Sequence, residues 1–98
     1  MNAKQQAVFE AHKTRISRQM DEGFETLLTN QLIEMRAKGV GKSTRRAFEH
    51  AAIVHHYETV SKVMSWLELE VRRNAEGIEE CDLRIRTDAL DELKDLMS

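Results

Sequence analysis

The sequence predicts an all-α protein. It would have two long antiparallel helices joined at Gly39–Ser43, a short third helix near the C-terminus, and a bundle completed by dimerisation. Three observations carry that expectation. Proline is absent from the 98 residues and glycine occurs four times, whereas an average chain is about 5% proline. Charged residues make up 33% and aromatics 5%, a balance that suits long helices better than a β-sandwich. Apolar residues also recur every three or four positions through residues 3–38 and 44–75, the spacing of an amphipathic helix.

In the first stretch the stripe is Val8, His12, Ile16, Met20, Phe24, Leu27 or Leu28, Leu32 and Met35. Gly23 interrupts it, at a cost of about 1 kcal/mol against alanine. Periodicity leaves open whether the chain bends or breaks at Asp21-Glu22-Gly23. Gly39-Val40-Gly41 then ends the helix, because a glycine after the last turn can take the left-handed conformation. Ser43 or Thr44 is placed to cap the helix that follows.

The second stretch carries two neighbouring stripes. Phe48, Ala52, His55 or His56, Val60, Val63, Leu67 and Val71 form one. Ile53, Tyr57, Val60 and Met64, extending to Leu67, form the other. Together they are wider than one partner helix covers, which predicts a homodimer or a protein partner. Asn74-Ala75-Glu76-Gly77 reads as a helix end. Leu83 and Ile85 alternate with Asp82, Arg84 and Arg86, which is either a short extended piece or a connection packed on the bundle. Thr87 would cap the last helix, with Leu90, Leu93 and Leu96 or Met97 as its apolar edge. The whole, residues 1–98, is expected to form one domain.

Composition bounds the function. Net charge is −2, so no global field draws the chain to nucleic acid. The charge is uneven: residues 34–75 hold eight bases and five acids, and residues 76–98 hold three bases and eight acids. The single cysteine, Cys81, cannot form an internal disulfide and suits a reducing, cytoplasmic setting. No segment reaches the roughly 18 apolar residues of a membrane span, so no membrane role is expected.

The segment RAKGVGKSTRR, Arg36 to Arg46, is the strongest functional signal. Gly41-Lys42-Ser43-Thr44 spells the end of a nucleotide-binding loop. The full pattern needs a glycine five residues before Gly41 and a preceding strand. Arg36 holds that position, and helix precedes the turn. Nucleotide hydrolysis is therefore rejected, and no cofactor is expected. Five of the fifteen bases still crowd into this segment: Arg36, Lys38, Lys42, Arg45 and Arg46. Arg36 and Lys38 lie at a helix C-terminus, where cations are favoured. Arg45 and Arg46 lie in the first turn of the next helix, where the dipole disfavours them by a few tenths of a kcal/mol. With Ser43 and the free amides of a helix start, they suit an anion. That anion could belong to a partner, to a phosphate backbone, or to the acidic run Glu76, Glu79, Glu80 and Asp82.

Other chemistries have weaker signals. A DNA-reading helix-turn-helix would place an apolar residue after Thr44, where Arg45 stands, and would use a shorter second helix. His12, His50, His55 and His56, with Glu58, lack metal-ligand spacing, so no metal is expected. Asp21, Glu22 and Glu25 form one acidic cluster and Glu79, Glu80 and Asp82 another, without a visible cleft for acid–base work. The acids around Cys81 should raise its pKa and blunt it as a nucleophile. Tyr57 and Trp66 are interface candidates if they face outward.

These readings predict a non-enzymatic helical binding protein of adaptor or inhibitor type. It would dock a macromolecular partner through the basic corner, here Arg36, Lys38, Lys42, Ser43, Arg45 and Arg46. A small nucleic-acid-binding regulator using the same corner is the alternative. By size and class alone, such proteins are common among bacterial and phage accessory factors.

Overall fold

The structure, a computed structural model, describes residues 1–97, with side chains as far as Asp95. Its elements run α1 (Ala3–Ala37), α2 (Lys42–Trp66), β1 (Leu67–Arg73), β2 (Glu79–Ile85), a 3-10 turn (Thr87–Ala89) and α3 (Leu90–Met97). The all-α expectation is therefore corrected: an antiparallel two-stranded sheet stands between the second and third helices. The chain divides into two compact units, one of residues 16–62, the other of residues 1–15 with the segment from Val63 onward.

The unit of residues 16–62 is an antiparallel helical hairpin. α1 is one unbroken helix through Gly23. A Cβ at that glycine would meet nothing within 4 Å, so Gly23 answers to no packing requirement. The helix closes as expected at Gly39, whose φ is +82°. The Val40 amide donates to the Met35 carbonyl at 2.9 Å and the Gly39 amide to that of Arg36 at 3.1 Å. This paired pattern is the Schellman closure, and it satisfies carbonyls that the helix end leaves free. α2 starts one residue earlier than Ser43, with the Gly41 carbonyl accepting from the Arg45 amide at 3.0 Å. Ser43 and Thr44 thus lie within the first turn, and neither side chain caps it.

Opposite sides of the hairpin meet at Asp21 and His56, 2.7 Å apart. The His56 ring stacks on Phe24 at 4.1 Å between centroids, with the planes 5° apart. No residue of the hairpin is fully buried. Ile33 stays 62% exposed and Leu27 58%.

In the other unit, α2 gives way to a strand at Leu67. The registers Leu67–Ile85, Leu69–Leu83 and Val71–Cys81 place alternate apolar residues on one face of the sheet. On the other face Arg84 pairs with Glu68, a favourable cross-strand ion pair. Asn74–Gly77 is the turn between the strands, not a helix end. The Asn74 carboxamide oxygen accepts from the amides of Glu76 and Ile78 at 3.0 Å each. Gly77 takes φ +80°, which a side chain would strain.

The core of this unit holds Phe9, Trp66 and Ala89. Trp66 is only 2% exposed, and its indole N–H donates to Glu92 at 2.8 Å. It is an interior residue, and its expected role as an outward anchor is withdrawn. Thr87 opens the 3-10 turn without a side-chain cap, which follows Arg86 instead. Leu90 and Leu93 belong to α3 as expected, while the side chains of Leu96 and Met97 lie outside the described residues. Among the described residues no helix is long and apolar enough to cross a membrane.

Candidate functional site

The Schellman turn sets the corner. By closing α1 within two residues, Gly39 and Val40 deliver the chain directly into α2, whose first turn is Lys42-Ser43-Thr44-Arg45. That turn holds no acidic residue, although an acid there would be favoured. Helical spacing then lines Lys42, Arg45, Arg46 and Glu49 along one side of α2. With Leu32 of α1 they enclose a concave surface of about 230 Å³.

The six corner residues expected from sequence separate into groups. Lys42, Arg45 and Arg46 come together in the concavity. Lys38 is tied to Glu34 by an ion pair of 2.8 Å one turn back, so local helix electrostatics accounts for it. Arg36 lies in the last turn of α1 and, with Ser43, is not part of the lining. Among the described residues, none of Arg36, Lys42, Arg45 and Arg46 makes an ion pair. Three of the four acids that were candidates to neutralise them have other hydrogen-bond or ion-pair partners. Glu79 accepts from Gln5, Glu80 accepts from Asn74, and Asp82 faces Arg72 at 3.9 Å.

Arg45 adds a sharper feature. Its Nε is buried and has no hydrogen-bond partner among the described residues. A buried polar group left unsatisfied costs about 1–3 kcal/mol, more when charged.

A second concavity, of about 340 Å³, continues along the same hairpin. Asp21, Glu25 and Glu49 supply its acids, and Phe24, His56 and Tyr57 its aromatic rings. Glu49 borders both concavities. Tyr57 is 69% exposed, so it keeps the outward position expected of an interface anchor. Sequence reading missed this acidic groove. The signal was present in the antiparallel register: Asp21 and His56 are nearly equidistant from Gly39 along the chain.

Chemically, the corner can hold an anion and the groove a cation. Among the described residues no group of three or more His, Cys, Asp or Glu side chains is arranged to hold a metal ion. The fold and site thus define a small mixed helix-and-hairpin chain with adjoining basic and acidic concavities on a helical hairpin. Comparison with protein-family models, with curated proteins and with solved structures gives no match.

Proposed function

We propose that the chain is a non-catalytic cytoplasmic docking protein of adaptor or inhibitor type, whose corner engages an acidic surface of a protein partner. The observation that carries this reading is the convergence of Lys42, Arg45 and Arg46 in one concavity, without ion pairs and with the Arg45 Nε unsatisfied. The helix dipole does not call for cations there, and Glu49, the acid of the same concavity, makes no ion pair with them among the described residues. Exposed apolar side chains on the same hairpin, Leu27 and Ile33 among them, suit a protein surface more than a phosphate backbone. A net charge of −2 also leaves few cations for counterion release along a duplex.

The test compares affinity capture from native lysate by wild type and by the Arg45→Ala, Arg46→Ala double variant. A salt titration against a duplex of arbitrary sequence accompanies it. The expected outcome is loss of a specific protein from the variant's capture and weak duplex binding by both. An unchanged capture set would remove the corner from the site. Tight duplex binding with a salt slope that the double variant abolishes would instead make the chain a nucleic-acid-binding regulator.

A further inference from the structure

We propose that the corner's partner is a second copy of this chain, seated hairpin to hairpin so that Arg45 and Arg46 of each copy enter the acidic groove of the other. The inference rests on the corner being a docking surface and names what docks there.

Both halves of the complementarity lie on the same side of one hairpin. On α2, Lys42, Arg45 and Arg46 line the basic concavity, and Ile53, His56 and Tyr57 line the acidic one. Glu49 stands between them and belongs to both. On α1, Leu32 borders the basic end, and Leu28, Glu25 and Asp21 follow toward the acidic end. The contact of Asp21 with His56 fixes the register, so Glu25 lies across from the helical turn that follows Glu49. At 1.5 Å per residue, the arginines and Glu25 are separated by roughly 10 Å along the hairpin.

A two-fold interface brings surface i against surface j and j against i. An axis crossing the hairpin obliquely between Glu49 and Leu28 would lay each arginine pair over the other copy's Glu25, with the two Glu49 side chains near the axis. The acidic groove has what such a contact needs. Glu25 and Glu49 are exposed, and neither is in an ion pair among the described residues. Asp21 keeps about half its surface open despite its bond to His56. Leu28, half-buried beside the axis, and Ile53, half-buried within the acidic groove, would form the apolar part of the contact, with the exposed Tyr57 at its margin. A foreign protein would have to present the same charges in reversed order, whereas a copy of this chain presents them by symmetry.

The experiment is sedimentation equilibrium on the full chain and two charge reversals: Arg45→Glu with Arg46→Glu, and Glu25→Lys with Glu49→Lys. Wild type should self-associate as a dimer of 11.4 kDa chains. Each reversal sets like charges against each other and should raise the dissociation constant about tenfold or more. An equimolar mixture of the two should restore dimer, because both contacts of the heterodimer again pair opposite charges. Circular dichroism checks that each variant keeps its helix content. If a double reversal does not, the single exchanges Arg46→Glu and Glu25→Lys, both at exposed positions, give the same readout. Wild type that stays monomeric, reversals that dimerise like wild type, or a mixture that does not recover would each overturn the proposal. Failure of the corner itself is read separately. The single exchange Glu25→Lys keeps both arginines and leaves the lining of the corner unchanged, so its capture from lysate reports on the corner when self-association is gone.

Discussion

At Cys81 burial and one neighbouring carboxylate set the reactivity of the only thiol in the chain. Burial pushes its pKa up first, and the Glu79 carboxylate, which accepts from Sγ at 3.6 Å, pushes it further. The sequence pointed to the right direction but gave the credit to the neighbouring acids. Glu80 and Asp82 play no part, because a strand sends its odd and even side chains to opposite faces. Cys81 should therefore alkylate more slowly at pH 8 than an unhindered thiol. Glu79→Gln should speed it by removing the carboxylate and leaving only burial; timed iodoacetamide labelling checks both. Glu79 itself is held below the usual carboxylate range, chiefly by the Gln5 carboxamide donating to it at 3.0 Å, with Arg73 and Lys4 adding to the effect. A lowered carboxylate pKa contributes stability above its ordinary value, and that stability is lost as pH falls through the lowered one. Urea midpoints of wild type should accordingly drop between neutral and acidic pH by more than those of Gln5→Ala.

Among the elements, two glycines of the same hairpin should respond to alanine with opposite signs. Gly23 is an ordinary helical residue with open space around it, so Gly23→Ala should stabilise by about 0.5–1 kcal/mol. Gly39 sits at φ +82°, so Gly39→Ala should destabilise by about 1–2 kcal/mol. Thermal midpoints of the two variants, moving apart from wild type, check this. The first helix and its glycine closure were legible in the sequence because each depends on local rules. The strand was not, because its residues satisfy two periods at once. Val63, Leu67 and Val71 continue a four-residue helical spacing, while Leu67, Leu69 and Val71 alternate as a strand does. Only pairing with Cys81, Leu83 and Ile85 decides between them, and pairing is not local. Gly77 misled for a related reason: a positive φ ends a helix and turns a β-hairpin equally well.

For the molecule as a whole, the interior is sparse. Among the described residues, the buried ones, Phe9, Trp66 and Ala89, belong to the unit that holds Trp66, and the helical hairpin has none. The sequence expectation of more apolar surface than the chain covers alone rested on the two stripes of α2, where Phe48 and Tyr57 are exposed and Ile53, Val60, Val63 and Met64 are half-buried. The basic corner was legible because Arg45 and Arg46 run against the helix dipole. The acidic groove beside it was not, since it exists only once α1 and α2 are set in register. Glu49 belongs to both concavities, so under the pairing proposed here a single surface serves both a twin and an outsider, and cannot serve them together. Twin formation grows with the square of chain abundance, while capture of an outsider grows only in proportion. Scarcity would leave the arginines available, and surplus would sheath them, so gene dosage alone could cap the response.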